Sequence, residues 1–535
     1  MAVKYRNLDE CSAFAGLVDL PSVDLRRAFT PERFRTWRNG YDLPNGDWLR
    51  FNYAARPVSD EIIAALGALA EEQELIAKYR EIASGAVMNT GENRMVLHHL
   101  CRGEPCGPVT DENRDYGAFY REQQARVAAF ARDVHSGVRV SPSGMPFEAA
   151  VQVGIGGSDL GPRALFIALQ GHEYIHEGTP RRGPLLETRF ISNVDPDDAT
   201  SALSGLNPKT TLFILVSKSG TTQETLTNEA LVLDWLIKAG VASPRKQIVC
   251  VTSQTSPLAR NEEYLESFFI DDYVGGRYSS SSAVGGTVLS LAYGPEVFAE
   301  LLAGAAAADV AALRPGVRDN PALLDALIGV YERNVLGYPA TAVLPYSQAL
   351  LRFPAHLQQL DMESNGKRVS RDGSPVSYGT GPIVFGEPGT NGQHSFYQLL
   401  HQGTDTVPLQ FVGFEESQFG HDIEWGGSTS QAKLNANLAA QIIAFATGKS
   451  DTNSNKEFPG GRPSSLLSAH RLTPAVLGAI LAHYENKVMF QGLVWNINSF
   501  DQEGVQLGKI LTKQILAEDN NRDPLLEAVA AEFGL

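Results

Sequence analysis

TLFILVSKSGTTQET (residues 211–225) joins an unbroken apolar run to a loop of short hydroxyls, one lysine and one glycine, and then to a helix-forming tail. An apolar run of this length without alternation predicts a strand buried on both faces, as in a parallel sheet. The same texture repeats on either side. AAVQVGIGG (149–157), TRFISNVD (188–195), QIVCVTS (247–253) and FFIDDYVGG (268–276) are each followed by a loop rich in glycine, hydroxyl or acidic side chains. Alternation of such strands with helical stretches between about 148 and 290 predicts a doubly wound α/β domain. A second series, ATAVLPYS (340–347), GPIVFGEPG (381–389) and TVPLQFVGF (406–414), follows a helical link at about 296–335. Two successive α/β domains suit 535 residues better than one very large sheet.

Residues 3–135 read as mostly helical, with apolar positions three and four apart in DEIIAALGALAEEQELIAKYREI (60–82). The polar stretch 451–465 reads as a surface loop. Beyond it, TPAVLGAILAHYENKVMFQGLVWNINSF (473–500) and GVQLGKILTKQILAE (504–518) read as long amphipathic helices.

Composition narrows the function. A hydrophobic share of 43% with 20% charged residues is that of a soluble globular enzyme. The net charge of −16, with no basic block, disfavours a nucleic-acid surface. Acidic residues at 9, 10 and 19 interrupt any secretory core, and no run approaches a membrane span, so a cytoplasmic protein is expected. Four scattered cysteines do not make a disulfide framework. The cluster HHLCRGEPC (98–106) has no common zinc spacing, and ordinary packing is expected for His98, His99, Cys101 and Cys106.

The loops carry the chemistry. Open α/β sheets bind ligands outside the carboxyl ends of their strands, where helix N-termini expose free N–H groups. At such a point Ser217, Ser219, Thr221 and Thr222 offer hydroxyls, Gly220 admits close backbone approach and Lys218 adds charge, a set suited to a phosphate monoester. The alternative is a cluster of helix caps and local turns, although one cap needs only one hydroxyl. VQVGIGGSDLGPRAL (151–165) supplies a second loop with Gly154, Gly156, Gly157, Ser158 and Gly161. Asp159 stands where a dinucleotide fingerprint needs its third glycine, so a ligand smaller than NAD or ATP is expected. Three further stretches gather polar groups. LQQLDMESNGK (357–367) has Gln359 and Glu363 four apart; GEPGTNGQHSFYQLLHQG (386–403) has His394 after a glycine-rich turn; SFDQEGVQLGK (499–509) has Gln502 and Lys509 seven apart.

These stretches, with DYVGGRYSSSSAVG (272–285), resemble the glucose-6-phosphate isomerase (phosphoglucose isomerase) family in order and spacing from about 150 to 510, and NTGENRMVLHHLCR (89–102) resembles a family segment upstream. The resemblance implies an α/β fold of two flavodoxin-like sugar isomerase (SIS) domains with parallel β-sheets flanked by helices. The implied division is an N-terminal helical extension (1–115) packing on the larger domain, a first SIS domain (116–290), a second (291–512) and a C-terminal helical arm (513–535). It implies reversible aldose–ketose isomerisation of glucose 6-phosphate and fructose 6-phosphate, in glycolysis and gluconeogenesis, in a cytoplasmic homodimer with shared active sites. By the same resemblance Gly157, Ser158, Ser217, Lys218, Ser219, Thr221 and Thr222 hold the sugar phosphate. Glu363 is the base, Arg277 the electrostatic stabiliser, His394 and Lys509 act at ring opening, and Gln359 and Gln502 contact substrate hydroxyls. His394 is expected from the partner subunit.

The residue types suit an enediol route, in which one carboxylate moves a proton between neighbouring carbons while a fixed cation steadies the enediolate. A route through two metals needs clustered carboxylate and His ligands, which the sequence does not offer, so neither metal nor other cofactor is expected. Against the family pattern, Glu503 replaces Trp, Ser280 and Ser281 replace bulkier residues, and Gly220 replaces an aromatic found in many animal members. The first change is expected to alter packing around Gln502 and Lys509, the second to loosen the turn bearing Arg277. Two rivals stay open: a sugar-phosphate-binding regulator without turnover, and an isomerase that also accepts mannose 6-phosphate.

Overall fold

The computed structural model describes residues 3–111, 114–517 and 523–535; part of the expected C-terminal arm, residues 518–522, lies outside them. The apolar runs form two sheets. In the first, all strands are parallel, in the order Glu266–Ile270, Ile248–Ser253, Thr211–Val216, Ala149–Val153, Glu187–Ile191. Every residue of Ala149–Val153, Thr211–Val216 and Ile248–Ser253 is buried, which explains their unalternated sequences. Counted along the chain, the spatial order is 2-1-3-4-5, the flavodoxin-like arrangement. Its switch point lies between Ala149–Val153 and Thr211–Val216, where an open α/β sheet takes its ligand.

The second sheet is mixed. Ser464–Ala469, Leu409–Phe414, Ala340–Pro345 and Ile383–Phe385 are parallel neighbours. Trp48–Asn52 pairs antiparallel with Ser464–Ala469, and Arg38–Asp42 closes the edge as a hairpin on it. Residues 3–135 are mostly helical, as read, but this hairpin interrupts them. The connecting loop holds Asn45 and Gly46 at φ 66° and 81°, the left-handed pair that an Asn-Gly step supplies to hairpin turns. The strand Ser464–Ala469 likewise corrects the reading of 451–465 as loop followed directly by helix.

Helix Pro474–Val494 is buried at every position, so the expected amphipathic character is absent. It packs against Pro295–Ala312 at a crossing so close that a Cβ on Gly304 would meet the Ala475 carbonyl oxygen at 1.9 Å, and one on Gly478 that of Leu301 at 1.9 Å. Its charged side chains are paired internally. Lys487 Nζ lies 2.9 Å from the Asp325 carboxylate, Glu485 pairs with Arg102, and the Tyr41 hydroxyl bonds His483 Nδ1 at 2.7 Å. Paired burial of this kind avoids the cost of isolated charges in a dry interior. One continuous core joins these helices to both sheets, from Val216 and Val251 to Val343 and Val412, and includes the fully buried Trp495. No helix among the described residues is long and apolar enough to cross a membrane.

Candidate active site

At the switch point two loops face each other. The first leaves Val153 through a short 3-10 turn, Gly156–Ser158, into helix Leu160–Leu169. Gly157 cannot be another residue without rearrangement, because its Cβ would lie 2.1 Å from the Gly276 carbonyl oxygen and 2.8 Å from Arg277 N. The glycine loop is therefore pressed against the turn that carries Arg277. Asp159, at the position that spoils a dinucleotide fingerprint, is buried and bonds Arg163 at 2.7 Å, one turn into the helix. Burial raises its carboxyl above the ordinary range, against the opposing Arg163 charge.

The second loop follows Val216. Ser217 is buried, accepts the Gly220 N–H at 3.1 Å and shares a hydrogen bond with the Thr222 hydroxyl at 3.0 Å. Ser219 and Thr221 are exposed and bonded to each other at 3.0 Å. The hydroxyls thus shape the loop while leaving Ser219, Thr221 and part of Thr222 at the surface, ahead of helix Gln223–Lys238. The local-turn reading is met by these hydrogen bonds within the loop. Gly220 sits at φ +68°, and a Cβ there would meet Ser256 Oγ at 2.0 Å, so an aromatic side chain has no room at this position. Lys218 extends to the Asp272 and Val274 carbonyls at 3.4 and 3.2 Å, and burial lowers its ammonium pKa. It lines a small pocket with Gly276, Arg277, Phe500 and Gln502, closed on another side by Asn89, Glu92 and Met95.

Arg277 is only 2% exposed. Its Nε donates to Ser364 Oγ at 2.6 Å, Nη2 to the carbonyls of Ser499 and Asp501, and Nη1 lies 3.5 Å from Glu363 Oε2. The expected loosening of this turn is not seen. Ser280 and Ser281 are themselves buried, and Ser280 fills the space beside Gly161, where a Cβ would meet its hydroxyl at 2.0 Å. The ring of Tyr278 stacks on His98 at 4.6 Å, and its hydroxyl reaches Ser364 at 2.9 Å. Burial holds the His98 imidazole far below its usual pKa, hence neutral. His99 Nε2 meets the Ala83 carbonyl at 3.3 Å, so both histidines of the 98–106 cluster serve packing here.

Gln359 and Glu363 share one turn, as their spacing suggests, but that turn is a π-helix, Gln358–Glu363. Single π-turns inside helices are frequently found at functional sites. Gln359 approaches the glycine loop, since a Cβ on Gly156 would lie 3.3 Å from its amide nitrogen. Glu363 Oε2 and Gln359 Oε1 have no hydrogen-bond partner among the described residues, leaving acceptor capacity for a ligand. A carboxylate with no hydrogen-bond donor on its Oε2, ion-paired with a buried guanidinium, is equipped to take a proton next to a carbonyl and steady the charge that results.

Two predicted site residues stand apart. His394 is the exposed last residue of the turn Asn391–His394, and Lys509 lies on the exposed helix Gln506–Leu516. Among the described residues neither hydrogen-bonds nor ion-pairs with Glu363 or Arg277 within one chain. Gln502 is exposed but shares the pocket with Lys218 and Arg277. No group of three or more His, Cys, Asp or Glu side chains among the described residues is arranged to hold a metal ion.

A parallel α/β sheet with facing glycine and hydroxyl loops at its switch point, and a carboxylate–guanidinium pair beside them, defines an enzyme of the sugar-isomerase class. The chain belongs to the phosphoglucose isomerase family, whose model matches residues 52–527. It is 59% identical to the glucose-6-phosphate isomerase of Treponema pallidum, over the whole of this chain and 99% of that protein. It is 45% identical to that of Borreliella burgdorferi, covering 99% of each. The crystal structure of a glucose-6-phosphate isomerase from Chlamydia trachomatis superposes with a TM-score of 0.89 at 41% identity, covering 99% of both chains.

Proposed function

We propose that this protein interconverts D-glucose 6-phosphate and D-fructose 6-phosphate through a cis-enediol, with no cofactor. The observation that carries the reading is the Glu363–Arg277 pair, 3.5 Å apart at the mouth of the loops that bracket the switch point. In this reading Ser158, Ser219, Thr221, Thr222 and Lys218, with backbone at Gly157 and Ser217, hold the phosphate. Gripping the ester end converts binding energy into orientation at the far end of the sugar. Glu363 removes the proton from C2 of the open-chain aldose and returns it to C1. Charge building on the carbonyl oxygen is met by Arg277, which cannot lose its own proton and needs no reorganisation. Gln359 and Gln502 orient the sugar hydroxyls.

The hexose phosphate arrives mainly as a ring, and its opening needs an acid–base group. The reading assigns this step to His394 of the partner subunit, with Lys509 polarising oxygen nearby. Two features support a homodimer. His394 is exposed, and helix Gln506–Leu516 buries no residue while presenting Leu507 and Ile510 at 67% and 53% exposure. A second copy covering that face would remove apolar surface from water and bring His394 of the partner subunit to the site. Residues 116–290 and 291–512 form the two isomerase domains in the same reading, and the setting is the cytoplasm.

The test is a coupled assay of purified protein treated with EDTA, with light scattering for the assembly. Full activity in a dimer is the expected result. Complete loss in EDTA, restored by a divalent metal, would replace the enediol route with a metal-assisted one; tight binding of fructose 6-phosphate without turnover would favour the regulator.

A further inference from the structure

The segment NTGENRMVLHHLCR has no role in the chemistry above, and neither do Lys367 and Asp501, although each lies inside a motif that does. All three meet at one place. Arg277 is aimed by two backbone carbonyls, those of Ser499 and Asp501. The Asp501 carbonyl receives a second cation, Lys367 Nζ at 3.1 Å, beside Arg277 Nη2 at 3.0 Å. Lys367 also binds the Asp501 carboxylate at 2.5 Å, with both side chains less than a fifth exposed. The other carboxylate oxygen accepts the Asn498 amide at 2.8 Å, and Asn498 in turn bonds Asn89 Oδ1 at 3.0 Å. The upstream segment closes on this knot so tightly that a Cβ on Gly91 would lie 3.1 Å from Asp501 Oδ2. The Ser499 end is pinned separately, its hydroxyl donating to Asn365 Oδ1 at 2.7 Å.

We propose that Lys367 and Asp501 are a positioning pair for the isomerisation, a proposal that rests on the function given above. Neither touches substrate. Lys367 lies four residues beyond Glu363, and Asp501 immediately precedes Gln502, so one ion pair ties the segment bearing the base to the segment bearing a substrate contact. The carbonyl they share sets the direction of the Arg277 guanidinium. The Asp501 carboxylate also neutralises Lys367, so the charge presented to the enediolate is that of Arg277. Loss of Lys367 leaves the Asp501 carboxylate without its cation and the shared carbonyl free to turn. The chief effect falls where the guanidinium is needed, in the transition state and not in the grip on the phosphate.

The experiment compares wild type with Lys367→Met, Lys367→Arg, Asp501→Asn and the Lys367→Met/Asp501→Asn double variant in the intact protein. Steady-state isomerisation is measured beside binding of two probes: the hydroxamate analogue of the enediolate, and sorbitol 6-phosphate, which carries the phosphate and hydroxyls but cannot form an enediolate. Lys367→Met should lower kcat about tenfold or more, with KM changed less than about twofold, because a misaimed transition-state group lowers kcat selectively. The hydroxamate should bind about tenfold more weakly and sorbitol 6-phosphate within about twofold of wild type. Lys367→Arg should recover most of the loss, and the double variant should lose no more than the worse single one. Wild-type kcat in Lys367→Met, equal weakening of both probes, or additive losses would each overturn the proposal. Should Lys367→Met fail to fold, the near-isosteric Asp501→Asn carries the same comparison. An inactive wild type would instead refute the isomerase reading itself, a result distinct from an active wild type that ignores Lys367.

Discussion

Replacing Gly157 by alanine tests whether the glycine loop and the Arg277 turn must touch. The added Cβ would lie 2.1 Å from the Gly276 carbonyl oxygen and 2.2 Å from its carbon. Both obstacles are backbone, so no side-chain rotation relieves them, and the two loops must separate by more than about 1 Å to reach ordinary contact. Overpacking of this kind costs about 1–3 kcal/mol in stability. Catalysis should suffer more than folding, because a misplacement of about 1 Å at a reacting centre costs on the order of 100-fold in rate. The separation moves the phosphate loop relative to Arg277, so kcat/KM should fall about 100-fold while the protein remains folded by circular dichroism. Wild-type kcat/KM in Gly157→Ala would refute the idea that this contact sets the distance from phosphate to reacting carbons.

Other expectations are more direct. Arg277→Met should raise the barrier by on the order of 3 kcal/mol, about 100-fold in kcat, in the coupled assay; a loss confined to KM would make Arg277 a ground-state contact only. Stability should carry a pH signature from Asp361, buried in the π-turn behind Glu363. Burial pushes its carboxyl up to about 7, with Lys487 opposing, whereas the unfolded chain ionises it near ~3.9. Between these values the folded protein holds a proton that the unfolded chain has released, so stability falls as pH rises from about 4 through 7. Glu485, raised to about 7 mainly by burial, contributes with the same sign. Asp361→Asn should therefore flatten, without abolishing, the decline in thermal midpoint between pH 5 and 8; equal slopes in variant and wild type would show that Asp361 does not titrate in this way.

The parallel strands were legible because burial on both faces writes itself as unbroken apolar runs, as in TLFILV (211–216). Their loops were legible as loops because glycine and short hydroxyl side chains cluster at turns and helix starts. The hairpin Arg38–Asp42 and Trp48–Asn52 escaped because its strands mix polar and apolar residues, although Asn45-Gly46 was a readable turn signal. Helix Pro474–Val494 misled through His483, Glu485 and Lys487, which suggest a wet face but are paired inside the core. The π-turn under Glu363 has no sequence period of its own, since it differs from an α-turn by one extra residue. Lys367 and Asp501 lay in plain view, but 134 positions separate them, and only the fold brings their charges together. His394 and Lys509 mark the opposite case, residues singled out from sequence that a single chain leaves exposed.

The account depends most on Glu363 as the group that carries the proton. The decisive measurement is the kcat of Glu363→Gln in the coupled assay, with sorbitol 6-phosphate binding as the control for an intact site. A general base contributes about 10²- to 10⁴-fold, so kcat should fall within that span while the inhibitor binds as in wild type. Turnover within about tenfold of wild type, with the same inhibitor affinity, would contradict the assignment.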